Sequence, residues 1–210
     1  MINKILDKIA GTTKVDDTEK KLLEKELEKI LSAPPQPDLR TIGLFSDVTD
    51  EKIAELIHAL IYLDEINRLT EEERPVEFYI STYGGSADDM FGMYDIMRVI
   101  RERTPIQTIG IGKVMSAGVL LLAAGTKGKR CIGKNCRVMV HSVIGGSHGP
   151  LHNLINEMDA IEQIQKMYSD ALIEETNMTK KDLKKLLERK VNVYLSAEEA
   201  VELGIADVII

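Results

Sequence analysis

The chain has 210 residues, 44% of them apolar, which is enough to bury one sizeable core. The 27 basic and 34 acidic side chains give a net charge of −7, which argues against a nucleic-acid binder and against adhesion to anionic membranes. The longest apolar stretch, 119–124, is far shorter than a membrane helix of roughly 18 residues, and the N-terminus lacks the apolar segment of a secretory signal. We therefore expect a cytoplasmic protein.

The N-terminal part, residues 1–38, is predicted to be a helical arm that ends in a Pro-rich linker. A charged helix over 17–32 places apolar side chains on one face, and these are Leu22, Leu23, Leu27, Ile30 and Leu31. Three prolines at 34, 35 and 37 then end the helix. The compact domain is expected to cover residues 39–210.

Strands and helices are predicted to alternate through that domain. Thr49 is a good N-cap for a helix with an apolar stripe of Ile53, Leu56, Ile57, Leu60 and Ile61. A second stripe consists of Met90, Met93, Ile96, Met97 and Ile100. The predicted strands cover 40–46, 76–80, 106–111, 138–142 and 206–210. Further helices are expected at 116–124, 151–175 and 180–189, and residues 196–199 form a capping box. This alternation indicates an α/β fold.

Three short segments carry side chains suited to acyl transfer. An apolar strand runs into Gly84 and Gly85, where bare backbone N–H groups can face a developing oxyanion. Ser116 lies between a loop and an apolar helix, as a nucleophile would, although helix capping is the simpler role for such a serine. His141 ends a strand and can act as a base, or be an ordinary buried histidine.

Taken in order, these segments resemble those of the Clp protease family, namely the proteolytic subunit of the ATP-dependent protease. The matching stretches are 78–86, 94–97, 112–118, 120–130, 138–146 and 195–204. The resemblance implies a single-domain ββα-repeat spiral, shared with the crotonase superfamily. It also implies homo-oligomeric heptameric rings stacked as a tetradecamer, an AAA+ ATPase unfoldase as partner, and unfolded polypeptides as substrates.

The resemblance also assigns roles to residues. Ser116 would be the nucleophile and His141 the general base, and the backbone N–H groups of Gly85 and Ala117 would form the oxyanion hole. An extended substrate backbone would pair with the segments that contain Gly84, Ser86, Ala87, Ile144, Gly145 and Gly146. Such pairing recognises backbone more than side chains and suits an enzyme that degrades many sequences.

The chain departs from the family pattern at the third triad position, where the aligned residue is Asn192 instead of aspartate. An asparagine oxygen can hold the imidazole but supplies no charge to stabilise the imidazolium. Asn192 therefore indicates either a weakened triad or a subunit that has lost catalysis. Another acid such as Glu188 could approach the site instead.

Two further departures lie outside the triad. Residues 81–83 read Ser-Thr-Tyr where the family has Asn-Ser-Pro, so the loop before the glycines can differ in shape. Residues 1–39 do not resemble the short axial loop that helps the family engage its ATPase. The arm is a candidate propeptide, gate or different docking device.

The leading hypothesis is a serine endopeptidase subunit of a self-compartmentalising protease, assisted by an ATPase. The alternatives are a catalytically impaired structural ring subunit and, more remotely, an acyl-CoA-binding crotonase-like enzyme. No cofactor or metal is predicted, because Cys131 and Cys136 form a lone C-x4-C pair, a poor zinc signature.

Overall fold

The computed structural model describes Lys21, Lys25 and residues 39–187 and 192–210. The predicted arm helix lies almost wholly outside the described residues. The unit Arg40–Ile210 is an α/β domain in which the described residues form one sheet of seven strands and six helices. No helix in these ranges is long and apolar enough to cross a bilayer.

The sheet is mostly parallel and is organised around one long strand. Its strands are β1 (Thr41–Leu44), β2 (Val76–Thr82), β3 (Ile106–Met115), β4 (Cys131–Ile132), β5 (Arg137–Val140), β6 (Val193–Leu195) and β7 (Val208–Ile209). The order is β1-β2-β3-β4-β7, and β5 pairs with both β3 and β6. Only the β5–β6 pair is antiparallel among these strands.

Strand β3 pairs with two different strands along one edge. Ile109 and Gly110 pair with β4, whereas the segment from Lys113 to Met115 pairs with β5. Gly112, at φ 64°, separates the two parts, in a backbone region that glycine adopts at little cost. The end of β3 therefore lies beside the end of β5.

The helices cover the sheet and bury most of the apolar stripes that the sequence predicts, but Ile61 is 46% exposed and its place in the first stripe is wrong. They are α1 (Asp50–Thr70), α2 (Ala87–Ile100), α3 (Ala117–Ala123), α4 (Leu151–Glu175), α5 (Lys180–Leu187) and α6 (Ala197–Glu202). All seven residues of α3 are buried, so this short helix is core. Gly110 permits close packing there, since a Cβ at Gly110 would lie 3.1 Å from Leu122 Cδ2.

The predicted boundaries hold for the long helices and fail at short strands. Helix α4 has its predicted bounds, Thr49 caps α1 by accepting from the Lys52 N–H, and Ser196 forms a capping box with Glu199. Strand β3 extends four residues beyond its predicted end at Ile111, and the short strands β4 and β6 have no counterpart among the predicted elements.

A buried ion cluster joins the end of α4 to the core. Glu175, whose side chain is 1% exposed, accepts from Arg101 Nη2 at 2.7 Å and from Tyr94 Oη at 3.1 Å. Lys127 Nζ lies 3.2 Å from the same carboxylate. Burial acts to raise the pKa of Glu175, but Arg101 and Lys127 outweigh burial and the pKa is lowered. The carboxylate is therefore held in its charged form.

Candidate active site

Ser116 occupies a strained turn between β3 and α3. Its φ of 53° and ψ of −122° lie outside the left-handed helical region. The other non-glycine residue with positive φ in the described ranges, Glu71, lies inside that region. Such a backbone costs about 1–3 kcal/mol and persists only where the surroundings hold it. A serine on a sharp strand-to-helix turn exposes its hydroxyl, as nucleophiles of other hydrolase folds do.

Hydrogen bonds to the backbone of Ser116 hold this turn. The Ser116 N–H donates to the Met139 carbonyl oxygen at 2.8 Å, which ties the turn to β5. The Ser116 carbonyl accepts from the Val119 N–H at 2.9 Å and from Tyr168 Oη at 3.1 Å. The side chain makes no capping hydrogen bond to α3. The simpler capping role for this serine is therefore wrong.

The Gly84–Gly85 turn approaches Ser116 so closely that side chains would not fit. A Cβ at Gly84, whose φ is 102°, would lie 2.6 Å from Ser116 Cβ. A Cβ at Gly85, whose φ is 151°, would lie 2.3 Å from the Val48 carbonyl oxygen. Val48 bonds to the Gly84 carbonyl and to the Ser86 N–H. Because N–H groups alternate in direction along extended chain, the Gly85 N–H points away from Val48.

His141 follows β5 directly, so the parallel β3–β5 register brings it to the same end of the sheet as Ser116. Its Nδ1 lies 2.5 Å from the Ser142 carbonyl oxygen. The loop beyond is fixed by Gln165 of α4, whose Oε1 accepts from the Val143 N–H at 2.7 Å. Because a carbonyl oxygen only accepts, we assign the proton to Nδ1 and the lone pair to Nε2.

One cavity of about 390 Å³ collects most of these groups. Its lining includes seven of the predicted site residues, namely Gly85, Ser86, Ala87, Ser116, Ala117, His141 and Ile144. The sequence did not indicate the other four lining residues, Met90, Val143, Ile164 and Tyr168. The spacing of Ile164 and Tyr168 puts them on one face of α4, but which face meets the site depends on tertiary packing.

A family model named Clp protease matches residues 36–210 of the chain. The chain belongs to the Clp protease family. Two curated relatives are the ATP-dependent Clp protease proteolytic subunits 1 of Prochlorococcus marinus subsp. pastoris and of Prochlorococcus marinus strain MIT 9312. Each is 29% identical over 210 residues, which covers 100% of this chain and 96% of the relative. The α/β fold, with its mostly parallel sheet, is consistent with this membership.

Asn192, the predicted third member of the triad, is exposed and immediately precedes β6. The antiparallel register pairs Val140 with Val193. Extended by one residue, this register would place Asn192 opposite His141, although neither residue belongs to a strand. The described partner of His141 Nδ1 is nevertheless Ser142. Glu188, the suggested substitute, lies outside the described residues.

The remaining predicted site residues lie at the edge of the cavity or beyond it. Gly84 touches Ser116 but is not part of the cavity lining. Gly145 and Gly146 are exposed and belong to no strand. Across the described ranges, no cluster of three His, Cys, Asp or Glu side chains is arranged to hold a metal ion. Cys131 and Cys136 are buried free thiols, and burial raises the pKa of Cys136 to about 11.

Proposed function

We propose that this Clp-family chain is a serine endopeptidase subunit in which Ser116 is the nucleophile and His141 the general base. The observation that carries the proposal is the unusual backbone conformation of Ser116, which hydrogen bonds to β5, α3 and α4 maintain. This residue shares one cavity with His141 and with Gly85 of the glycine turn. Strained backbone of this kind is concentrated at functional sites. Its side chain caps nothing, so the strain serves the placement of the hydroxyl.

In this mechanism, Ser116 Oγ attacks the scissile carbonyl carbon of a peptide while His141 Nε2 takes the hydroxyl proton. The tetrahedral intermediate collapses to an acyl-enzyme, and His141 passes the proton to the leaving amine. Water then attacks the ester by the same route and releases the acid. Each bond change needs only the groups of the cavity and one water molecule.

The developing oxyanion would be stabilised by the backbone N–H groups of Gly85 and Ala117. Both residues line the cavity with Ser116, and a Cβ at the neighbouring Gly84 would lie only 3.1 Å from Ala117 N. The absence of a side chain at Gly84 leaves room for a carbonyl oxygen beside Ser116 and the Ala117 N–H. A Cβ at Gly85 would meet Val48 instead. Removal of one such donor typically lowers kcat about 10²-fold to 10³-fold.

The imidazole of His141 would be oriented by the acceptor of its Nδ1 proton, which leaves Nε2 free to take a proton. In this structure the acceptor is the Ser142 carbonyl. In the catalytic state Asn192 Oδ1 would replace it as the third member of the triad and would hold the ring without adding charge. In serine proteases the change from Asp to Asn at this place lowers kcat about 10⁴-fold. We therefore expect weak catalysis.

Substrates would be unfolded polypeptides bound as an extended strand. The cavity is lined by Ser86, Ala87 and Ile144, which belong to the segments on either side of the nucleophile. The exposed, unpaired backbone at Gly145 and Gly146 could accept a peptide by strand addition.

The active form would be a homo-oligomeric ring, with stacked heptamers as its expected arrangement, in the cytoplasm. Support comes from α4, on which Leu151, Ile155 and Met158 are 68%, 48% and 56% exposed at helical spacing. Such a stripe is typical of a surface that another subunit covers. An AAA+ ATPase unfoldase would feed the ring.

Hydrolysis of a fluorogenic peptide by the purified oligomer tests the proposal, with Ser116→Ala as the matched variant. We expect slow turnover by the native protein and none above background by Ser116→Ala. Equal turnover by both proteins would show that Ser116 is not the nucleophile.

The exposed Asn192 favours a second candidate, a ring subunit without catalytic activity. That candidate predicts no hydrolysis by the native protein and a normal ring. An active native oligomer would eliminate it.

A further inference from the structure

A buried hydroxyl on α4 contacts the peptide group that follows the nucleophile. Tyr168 is 4% exposed, and its Oη donates to the Ser116 carbonyl oxygen at 3.1 Å. Tyr168 lines the same cavity as Ser116, Ala117 and His141. Tyr168 therefore meets the site both at the cavity and through a hydrogen bond to the backbone, and the mechanism above uses neither contact.

The peptide group that Tyr168 contacts also carries the Ala117 N–H. A trans peptide is planar, so its C=O and N–H point in opposite directions and turn together. A bond that fixes the Ser116 carbonyl oxygen therefore fixes the direction of the Ala117 N–H. The strained turn at Ser116, with φ 53°, is held partly by this bond, beside the bonds that Val119 and Met139 make to its backbone.

We propose that Tyr168 is a positioning residue for acylation, whose hydroxyl holds the Ser116–Ala117 peptide plane so that the Ala117 N–H faces the oxyanion. The inference rests on the proposed function and deepens it. The same hydrogen bond polarises the peptide, because bonds in a chain strengthen one another, and makes the Ala117 N–H a better donor.

Tyr168 acts here as a donor and takes no part in proton transfer. Burial raises the pKa of Tyr168 well above its usual range, so the hydroxyl stays protonated wherever the enzyme would be assayed. Removal of the hydroxyl still leaves the Ser116 carbonyl its bond from the Val119 N–H at 2.9 Å. Tyr168→Phe therefore leaves no buried acceptor without a partner and is expected to fold.

The test compares Tyr168→Phe with Tyr94→Phe in the native oligomer. Tyr94 is a matched control, since it is also 4% exposed and its hydroxyl donates at 3.1 Å, but to Glu175 in the ion cluster. The readouts are kcat and KM for a fluorogenic peptide, and the inhibition constants of a peptide aldehyde and of the same peptide as its amide. The aldehyde forms an oxyanion with the serine, whereas the amide does not.

For Tyr168→Phe we expect kcat about threefold to tenfold lower, KM unchanged and aldehyde binding weaker by the same factor. Binding of the amide should not change, and Tyr94→Phe should match the native protein in all four constants. Unchanged kcat and aldehyde binding in Tyr168→Phe overturn the inference. So does a rise in KM alone, which means that the ring only shapes the cavity, or an equal loss in both variants.

Failure of the inference and failure of the proposed function give different results. A native protein that hydrolyses the peptide, beside a Tyr168→Phe variant that equals it, rejects the positioning role alone. A native protein that neither hydrolyses the peptide nor binds the aldehyde rejects the proposed function, and the role of Tyr168 falls with it.

Discussion

Replacement of Ser116 by glycine should make the protein more stable than replacement by alanine. Both variants lack the hydroxyl, so their difference reports the backbone alone. Alanine keeps the cost of φ 53° and ψ −122°, whereas glycine adopts this region freely. Most substitutions of alanine by glycine lower stability, so the predicted sign is unusual.

The magnitude follows from two opposing terms. Relief of backbone strain contributes about 1–3 kcal/mol. The greater freedom of glycine in the unfolded chain removes about 0.5–1 kcal/mol. We therefore expect Ser116→Gly to exceed Ser116→Ala by about 1 kcal/mol in the free energy of unfolding.

The assay is equilibrium unfolding in urea, at one fixed protomer concentration because subunit association adds to apparent stability. Glu71 gives a calibration, since it has φ 56° in the left-handed region, and Glu71→Gly should exceed Glu71→Ala by a similar amount. A glycine variant at Ser116 that is less stable than the alanine variant would refute the strained turn, provided that Glu71 behaves as expected.

Two other substitutions test the close approach of Gly84 to Ser116 and the ion cluster around Glu175. Gly84→Ala should lower the rate of labelling by a fluorophosphonate at least about tenfold, since overpacking beside Ser116 costs about 1–3 kcal/mol. The control is Gly128→Ala, at φ 81° with nothing within 4 Å of the added Cβ, and it should label at the native rate. Equal labelling rates for the two alanine variants would contradict the close approach of Gly84 to Ser116. Glu175→Gln should cost about 3 kcal/mol of unfolding free energy because it removes the buried carboxylate that pairs with the mostly buried Arg101, whereas Glu174→Gln, from an exposed pair, should cost under about 1 kcal/mol. The pKa of Glu175 is lowered in the folded state, so its contribution to stability is present above the unfolded pKa and is lost as pH falls through the folded pKa. Urea unfolding at several pH values measures this loss. The difference in unfolding free energy between the native protein and Glu175→Gln should shrink below pH of about 4.5.

Patterns along the chain were enough to predict the long elements and the candidate groups. The predicted helix over 151–175 has the bounds of α4, and the stretches around Gly84, Ser116 and His141 are among those that carry the family resemblance. These features depend on local propensity and on side chains that chemistry requires. They are therefore visible without any knowledge of packing.

What escaped prediction depends on contacts between distant segments. Strand β6 has three residues and exists because β5 pairs with it, and β3 continues past Gly112 because β5 takes over as its neighbour. The positive φ of Ser116 is set by bonds from Val119 and Tyr168 and to Met139, which no local pattern contains. Tyr168 itself reads as one more apolar residue of a long helix.

Intact-mass labelling with a fluorophosphonate probe tests the central claim most directly, with the native oligomer beside Ser116→Ala and Asn192→Asp. The account predicts one adduct on the native protein, none on Ser116→Ala, and faster labelling of Asn192→Asp because a carboxylate stabilises the imidazolium. An adduct that persists in Ser116→Ala, or the absence of any adduct on both the native protein and Asn192→Asp, would contradict the assignment of Ser116 as the nucleophile.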